Sequence, residues 1–342
     1  MRQRSFNKMK KDNKLKIVHV ILSKGFAGSE KYVIDLINFQ KKKNFVYALI
    51  SNKNIILNKS LKKNIKIFKI GDFFKKFQIK KILDNISPDI VHTHLGESAK
   101  LVGKSINYKT ISTMHMNYKN KDYKNSDAII VSNQSQLNEI KKTYSGKLFK
   151  SYLWVNLPKI NVSKSKLKKK LNIPKNNIIF GSIGRFHFQK GFDILIECFT
   201  ELSLKNCTLV LIGNGHHKYK KLEAQNKKFK IIGHVNNVSN FYNIFDICIF
   251  ASRWETFGYG LVEAMKFNKP IISSKHIGNK DWINNFNIYK FNINRKNELK
   301  KLIKNVYYSK IWKKKYDLNI FQYKENCNLI TSFYYKILDR SD

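Results

Sequence analysis

Short apolar runs alternate along the chain with stretches in which apolar residues recur every three or four positions. The first run covers residues 17–22, and residues 32–37 show the helical period that follows it. Residues 45–50, 65–70, 90–94, 110–115 and 128–131 are predicted as further strands. Strand-like runs separated by helical segments predict β-α-β units, and therefore a doubly wound parallel sheet.

A second set of apolar runs predicts a second domain. Residues 152–170 are rich in Lys and Ser, and we assign them to a linker with a short helix. The runs resume at residues 178–184, 209–212, 231–232, 247–250 and 271–273. We therefore expect an α/β protein with two Rossmann-like domains, residues 1–155 and 156–312, facing across a cleft. Ligands of such sheets bind beyond the carboxyl ends of the strands.

The charge of the chain is strongly positive. Its 342 residues include 66 Lys and Arg against 23 Asp and Glu, a formal net charge of +43. Nucleic acid, an anionic membrane surface and the codon usage of an AT-rich genome are three explanations. The charge is scattered and no nucleic-acid-binding motif occurs, so we expect no nucleic-acid partner. Codon usage remains open as the origin of the charge, but a surface this basic attracts anionic partners in either case, and we expect contact with an anionic membrane.

We recognise no targeting signal and no disulfide-like cysteine spacing, and this favours a cytoplasmic protein. If the contact with an anionic membrane forms, we expect it at the inner face of the membrane. The four cysteines form no C-x-x-C pair, so we expect buried, reduced thiols. No apolar run reaches 18 residues. Residues 1–14 are basic and polar, unlike a secretory signal, and are expected to form a flexible tail.

Glu255 and Glu263 are the strongest candidates for chemistry. Glu255 follows the strand-like run 247–250, and Glu263 lies about one turn into a helix that should open near Gly258. Glycine lets the backbone approach a ligand closely, and a helix start offers free N–H groups to an anion. This arrangement suits a phosphate between two hydroxyl-rich groups, as in a nucleotide sugar.

A loop with two cations follows the run 178–184. Arg185 and Lys190 lie between Gly184 and Gly191, where a strand ends and a helix should begin. Arginine offers a fork for phosphate oxygens and lysine a mobile charge. Together they could neutralise a diphosphate without a metal, although a solvated basic loop would show the same pattern.

The sequence predicts no metal site. It has no Asp-x-Asp motif, the usual holder of Mn²⁺ or Mg²⁺ in many sugar transferases with a single Rossmann-like domain. His92 and His94 point to one face of a strand, and His216 and His217 are adjacent. Neither pair comes with carboxylates that would complete a site.

Several further loop residues are candidates for binding. Gly28 lies in a glycine-containing turn before the first helix, and His115 lies at the end of the run 110–115. A plain βα turn and a structural histidine are the alternatives. Contacts around a nucleotide base are expected from two other strand ends, with the residues Gly213, Asn214, Gly215, His234 and Val235.

In these motifs the chain resembles glycosyltransferase family 4, retaining enzymes of the GT-B fold. The resemblance extends from about Lys16 to Leu338 and is most specific in the Gly-Arg…Lys-Gly loop, the Gly-Asn-Gly turn and the Glu-x7-Glu run. The family usually has two adjacent glycines in the first loop, where this chain has Ala27 and Gly28. The resemblance also implies that residues 313–342 form a helix crossing back to the first domain.

The resemblance implies a role for each matching residue. Arg185 and Lys190 would hold the donor diphosphate, Glu255 the sugar hydroxyls and Glu263 the ribose. His115 would lie beside the transferring sugar and Gly28 near the diphosphate. The phosphates would face the backbone of the run after Glu255, residues Thr256, Phe257 and Gly258.

The family's chemistry implies a metal-independent reaction with no protein nucleophile. The donor would be a nucleotide-diphosphate sugar, UDP-sugar favoured over GDP-sugar, and the acceptor a glycan or lipid-linked sugar of a bacterial surface polysaccharide or lipopolysaccharide. Front-face attack, with the leaving phosphate taking the acceptor proton, is the family's expected course. A nucleotide-sugar epimerase or a sucrose- or glycogen-type synthase is the alternative on this fold.

Overall fold

The chain divides into two compact units. The computed structural model describes residues 14–61, 65–276, 278–280, 282–311 and 313–338. One unit combines Met1–Trp154 with Gln322–Asp342, and the other is Val155–Phe321. The tail expected at residues 1–14 lies outside the described residues, apart from Lys14.

The first unit is built on a seven-stranded parallel sheet in the order β3-β2-β1-β4-β5-β6-β7. Strands such as β4 are buried along their whole length because helices cover both faces of a doubly wound sheet. The strands are β1 (Lys16–Ile21), β2 (Phe45–Ser51), β3 (Lys66–Ile70), β4 (Ile90–His94), β5 (Lys109–Thr113), β6 (Ala128–Val131) and β7 (Lys147–Lys150).

Seven helices among the described residues belong to this unit. The last one comes from the end of the chain, and its Tyr323 hydroxyl donates to the Asp35 carbonyl oxygen at 2.8 Å. The helices are α1 (Gly28–Gln40), α2 (Ile55–Leu61), α3 (Lys75–Ile86), α4 (Gly96–Val102), α5 (Asn120–Tyr123), α6 (Gln134–Ile140) and α13 (Tyr323–Leu338).

The second unit has a six-stranded parallel sheet in the order β10-β9-β8-β11-β12-β13. This is the strand order of a Rossmann fold, in which the direction of winding reverses between the first and fourth strands. The strands are β8 (Ile178–Ile183), β9 (Cys207–Ile212), β10 (Phe229–Ile232), β11 (Ile247–Phe250), β12 (Ile271–Ser274) and β13 (Tyr289–Phe291).

Helices and short 3₁₀ turns connect these strands. Helix α8 has an apolar face that packs into the core of the unit through Leu195 and Phe199. The helices are α7 (Lys164–Lys170), α8 (Phe192–Glu201), α9 (Lys220–Gln225), α10 (Val238–Ile244), α11 (Tyr259–Lys266) and α12 (Lys296–Ser309).

The prediction of two doubly wound parallel sheets is confirmed, but two strands of the structure, β7 and β13, were not predicted. Strand β7 reads KLFK, with lysines at both ends, and β13 reads YKF and has three residues. Both lie at sheet edges and carry too few apolar residues for a periodic signal. The run 110–115 ends as a strand at Thr113, so His115 lies beyond it.

The expected burial of the cysteines is confirmed, since Cys198, Cys207, Cys248 and Cys327 are all buried and free. Among the described residues, no helix is both long and apolar enough to cross a lipid bilayer.

Gly181 lets an aromatic ring pack against strand β8. A Cβ atom at this position would lie 2.2 Å from the Phe245 ring, far inside normal contact distance. Phe245 is fully buried, so its ring has little space into which it could move. The packing of Phe245 in the second domain therefore depends on a glycine in the middle of strand β8.

We expect Gly181→Ala to lower the free energy of unfolding by roughly 1–3 kcal/mol, the usual cost of overpacking. Urea denaturation of Gly181→Ala, Phe245→Leu and the double variant measures the coupling. Because the smaller side chain leaves room for the new methyl group, the double variant should be more stable than the sum of the single effects by at least roughly 0.5 kcal/mol. Additive effects would contradict this contact.

Candidate functional site

A pocket in the second domain lies where the strand order reverses. Strands β8 and β11 are neighbours, with Ile247 opposite Phe180 and Cys248 opposite Gly181, and their connections leave in opposite directions. The loops after these two strands therefore line a common crevice. The lining residues are Ser182, Ile183, Lys190, Phe192, Phe250, Ser252, Glu255, Gly258, Gly260 and Leu261.

An ion pair joins the two loops in this pocket. The Lys190 ammonium group donates to Oε1 of Glu255, and the Ser252 hydroxyl donates to the same oxygen at 2.9 Å. The Lys190 side chain is 22% exposed and that of Glu255 is 14% exposed. Both charges are thus largely withdrawn from water, where their mutual attraction is stronger than at the surface.

Backbone contacts hold the two loops in register. Gly191 has a φ of +63°, and a Cβ atom there would lie 1.9 Å from the Ala251 carbonyl oxygen. The Arg253 N–H donates to the Gln189 carbonyl oxygen at 2.8 Å. The loop after β8 therefore lies directly against the start of the loop after β11.

Arg253 strengthens this contact with its side chain. Its guanidinium donates to both carboxylate oxygens of Asp193, at 2.9 and 2.6 Å, and lies over the Phe188 ring. This hydrogen-bonded pair lowers the pKa of Asp193 below its usual value. Asp193 and Arg253 are thus a structural pair beside the pocket, and their own charges largely cancel.

Helix α11 begins at the edge of the pocket. Gly258 precedes it with a φ of +94°, a left-handed conformation that favours glycine. Phe257 is fully buried and anchors the loop, so Thr256 and Gly258 are placed by the packing of their neighbour. Gly258, Gly260 and Leu261 line the same pocket as Lys190 and Glu255, so the start of helix α11 and the ion pair share this pocket.

His276 lies beside Gly258 at the edge of the pocket, which its position in the sequence does not indicate. It follows β12, and its Cε1 atom would lie 3.6 Å from a Cβ atom at Gly258. The Asn279 Nδ2 group donates to the His276 Nε2 atom at 3.0 Å, while Asn279 Oδ1 accepts from the His276 backbone N–H. Burial lowers the pKa of His276 to about 4. A histidine after a strand is a weak signal, because many such histidines are structural.

Glu263 has a partner that its sequence position does not indicate. The hydroxyl of Tyr242, on helix α10, donates to its Oε2 atom at 2.8 Å. Tyr242 is fully buried, and burial raises its pKa well above the ordinary value. A protonated phenol therefore orients the Glu263 carboxylate at the side of helix α11.

The remaining candidates of the second domain occupy neighbouring strand ends. A Cβ atom at Gly213 would lie 1.7 Å from the Gly184 carbonyl oxygen, and the Phe186 N–H donates to the Asn214 carbonyl oxygen at 2.7 Å. The loop with Gly213 is thereby joined to the loop with Arg185. Arg185 is exposed, and its Nη2 atom lies 3.4 Å from Gln189 Oε1. Asn214, Gly215 and His234 are also exposed, whereas Val235 is half-buried.

Gly28 and His115 belong to the first domain. Gly28 is the first residue of α1, and the Glu30 carboxylate accepts from the Ala27 N–H at 2.6 Å. His115 is 9% exposed, and burial lowers its pKa to about 3. Each is placed at the carboxyl edge of the first sheet, as the sequence indicated.

The first domain also contains a histidine cluster of which the sequence showed only a part. His19, His92 and His94 are fully buried, and one ring nitrogen of each lies within 4.8 Å of the others. His19 was missed because 73 positions separate it from His92. The pairing of β1 with β4 places the two residues directly opposite each other.

The chain is similar to proteins described as glycosyltransferases. Residues 163–319 match the family model described as glycosyl transferases group 1. The uncharacterized glycosyltransferase MJ1059 of Methanocaldococcus jannaschii is 28% identical over 264 residues, which are 66% of this chain and 65% of that protein. An uncharacterized 41.2 kDa protein in the cps region of Klebsiella pneumoniae is 26% identical over 77% of this chain and 61% of its own length. The matches thus span less than two thirds of these relatives.

Solved structures share the fold of the whole chain. A glycosyltransferase from Rickettsia africae superposes with a TM-score of 0.82 and 22% identity, covering 96% of this chain and all of that one. Anabaena Alr3699/HepE in complex with UDP and glucose gives a TM-score of 0.73 and 16% identity over 95% of this chain and 98% of that one. The fold is therefore the GT-B fold, with two Rossmann-like domains.

We expect Gly191→Ala to destabilise the second domain by at least roughly 2 kcal/mol, because it combines a left-handed φ with a clash against backbone. Gly25→Ala is the matched control: Gly25 follows the first strand of the other domain, and a Cβ atom there would meet nothing within 4 Å. Urea unfolding of both variants tests this. Equal stability of the two would show that the loop can move away from Ala251.

Proposed function

We propose that the protein is a metal-independent, retaining glycosyltransferase that moves a sugar from a nucleoside-diphosphate sugar to a glycan or lipid-linked acceptor. The observation that carries the proposal is the Lys190–Glu255 pair, largely withdrawn from water in a pocket at the switch point of the second sheet. That pocket lies within the region that matches the glycosyl transferases group 1 model.

The geometry supports a division of roles within the donor site. Lys190 and Ser252 both contact Oε1 of Glu255, so Oε2 is the oxygen we expect to accept from a sugar hydroxyl. Glu263, held by Tyr242, would accept from the ribose hydroxyls. Lys190 and the exposed Arg185 would meet the phosphates between them. The roles assigned to Gly28 and His115 remain predictions from the resemblance.

The reaction would depend on stabilising the leaving group. The bond between the sugar C1 and the diphosphate oxygen breaks, and the new bond to the acceptor oxygen forms on the same face. The acceptor proton passes to the departing diphosphate. Lys190, Arg185 and the first N–H groups of α11 would stabilise the negative charge that develops there, and such electrostatic stabilisation is the main source of rate enhancement in many enzymes.

A UDP-sugar is the donor we favour. Anabaena Alr3699/HepE, which shares this fold, has been solved in complex with UDP-glucose. Its identity to this chain is 16%, so the likeness supports the donor class through the fold alone. The backbone around Gly213, Asn214 and Gly215, together with His234 and Val235, would surround the base.

Two relatives suggest the acceptor class. The capsular polysaccharide biosynthesis glycosyltransferase CapM of Staphylococcus aureus is 29% identical over 46% of this chain. The O-antigen biosynthesis glycosyltransferase WclY of Escherichia coli is 27% identical over 32% of it. We infer a role in bacterial surface polysaccharide or lipopolysaccharide synthesis, at the cytoplasmic side of the membrane.

A glycogen-type synthase is the second candidate. The glycogen synthase of Fervidobacterium nodosum is 28% identical over 162 residues, 44% of this chain and 33% of that protein. Radiolabelled UDP-glucose offered with glycogen or with a lipid-linked sugar separates the two functions. Incorporation into glycogen alone would favour the synthase.

We further propose that the first domain contacts an anionic membrane through an apolar patch at the carboxyl edge of its sheet. The patch comprises five exposed side chains, which are 54–84% accessible: Ile55, Ile56, Phe73, Phe74 and Phe77. Lys53, beside the two isoleucines, pairs with Asp72, beside the phenylalanines, at 2.6 Å. This ion pair shows that the loops after β2 and β3 lie side by side, so we expect the five residues to belong to one surface.

Lysines surround this apolar patch. Lys24, Lys53 and Lys75 lie around Asp72, and Lys76 and Lys80 are exposed on α3. Asp72 and Glu97, which pair with Lys75 at 3.9 and 2.6 Å, offset part of this charge, and the five lysines still leave an excess of positive charge. Aromatic side chains enter the interfacial region of a bilayer, and each uncompensated lysine near the surface adds about 1 kcal/mol of attraction to anionic lipid. The combination fits an anionic membrane surface better than a neutral one.

We expect Lys190→Ala to lower the turnover of a UDP-sugar by roughly 10²–10³-fold, since it removes a charge that stabilises the leaving diphosphate. Lys227→Ala, an exposed lysine of the same domain, is the control and should keep wild-type turnover. UDP release and thermal shift with UDP are the measurements. Wild-type transfer by Lys190→Ala would contradict the proposed donor site.

Flotation with liposomes tests the membrane surface. Replacing Phe73, Phe74 and Phe77 by Ser should reduce partitioning onto anionic vesicles by more than tenfold, because each buried Phe contributes roughly 1.5–3 kcal/mol. Ile106→Ser is the control: Ile106 is 100% exposed but precedes β5, at the opposite edge of the sheet. Unchanged flotation of the triple variant would show that scattered charge alone causes binding.

A further inference from the structure

A hydrogen-bonded chain runs through the interior of the first domain from helix α13 to His115. It passes from Thr331 to Gln40, then through His19 and His94. The successive distances are 3.2 Å (Gln40 Nε2 to Thr331 Oγ1), 2.8 Å (Gln40 Oε1 to His19 Nε2), 3.0 Å (His19 Nδ1 to His94 Nε2) and 3.3 Å (His94 Nδ1 to His115 Nε2). The group at its start determines the direction of every bond.

A backbone carbonyl oxygen, which can only accept, lies at the start of the chain. The Thr331 hydroxyl donates to the Cys327 carbonyl oxygen at 2.8 Å, so its single proton is used there. Thr331 Oγ1 therefore accepts from the Gln40 amide, and this fixes which way the amide faces. Gln40 Oε1 is turned to His19 and accepts the proton on His19 Nε2.

The nitrogen that carries the proton in one imidazole determines which nitrogen carries it in the next. A neutral imidazole carries one N–H and one lone pair, so a proton on His19 Nε2 leaves its Nδ1 as an acceptor. His94 must then donate from Nε2 and accept at Nδ1. His115 must in turn donate from Nε2, which leaves its Nδ1 without a proton.

Burial keeps these rings neutral. His19 and His94 are fully buried, and His115 is 9% exposed. Desolvation is the largest cause that lowers their pKa values, to about 4 for His19, to about 3 for His115 and well below the ordinary value for His94. An extra proton, which would break the alternation of donors and acceptors, is therefore absent at neutral pH.

We infer that Gln40 and Thr331 are positioning residues that fix His115 as the Nε2–H tautomer, with an unprotonated Nδ1. This inference rests on the hydrogen bonds alone and is independent of the proposed function.

A metal ion is the competing interpretation of this cluster. All six ring nitrogens of His19, His92 and His94 have hydrogen-bond partners, since His92 contacts Tyr334 at 2.5 Å and Thr113 at 2.6 Å. A cation could bind only by displacing several of these bonds. No carboxylate or thiolate among the described residues joins the group to offset its charge.

The test uses the full-length protein labelled with ¹⁵N in its nine histidines. Long-range ¹H–¹⁵N spectra distinguish a protonated ring nitrogen from a bare one, and single His→Gln variants assign the signals. We expect His19, His94 and His115 to be neutral Nε2–H tautomers at pH 7. A protonated Nδ1 on His115, or a stoichiometric metal that persists through dialysis against chelator, would overturn the inference.

Two variants test the origin of the constraint. Thr331→Val keeps the shape of the side chain but removes the acceptor of the Gln40 amide, so the His115 tautomers should mix. Thr331→Ser keeps the hydroxyl and should retain the wild-type spectrum. Gln40→Met, which removes the acceptor for His19, should act like Thr331→Val, and circular dichroism checks that each variant is folded. Wild-type spectra in both Thr331→Val and Gln40→Met would refute the positioning role.

Discussion

The reversal of strand order in each parallel sheet is the constraint on which the candidate site depends. In the second domain the connections after β8 and β11 leave in opposite directions, so a crevice opens between the two strand ends. Gly191 then brings the two loops into backbone contact at Ala251. The Lys190–Glu255 pair forms because this contact leaves the two side chains in the same crevice.

The two domains share the doubly wound topology but differ in the charge of the polar side chains at the strands where the winding reverses. In the second, a cation and an anion are partly buried together and compensate each other's loss of hydration. In the first domain, imidazole side chains lie next to each other on the paired strands β1 and β4, and complete burial keeps them neutral. The charged pair lies in a pocket, whereas the neutral imidazoles are hydrogen-bonded to one another and to neighbouring side chains in the interior of the domain.

Much of the fold could be predicted from local patterns. Strand β9 is fully buried and almost continuously apolar, and the loop after it begins at Gly213. Strands β7 and β13 were not predicted, because they are short and lie at sheet edges. Lys190, Glu255 and Gly258, which line the pocket, were identified from motif spacing, but His276 and Tyr242 have no such spacing.

The sequence by itself determined the alternation of strands and helices, the glycines at the strand ends and the order of charged residues along the chain, because these depend on neighbours within a few positions. The tertiary structure decided which side chains meet. His19 lies beside His92 only through the pairing of β1 with β4, and Gln40 meets Thr331 only because α13 returns to the first domain. Hydrogen bonds between residues so far apart along the chain leave no periodic trace in a single sequence, since packing alone brings them within reach.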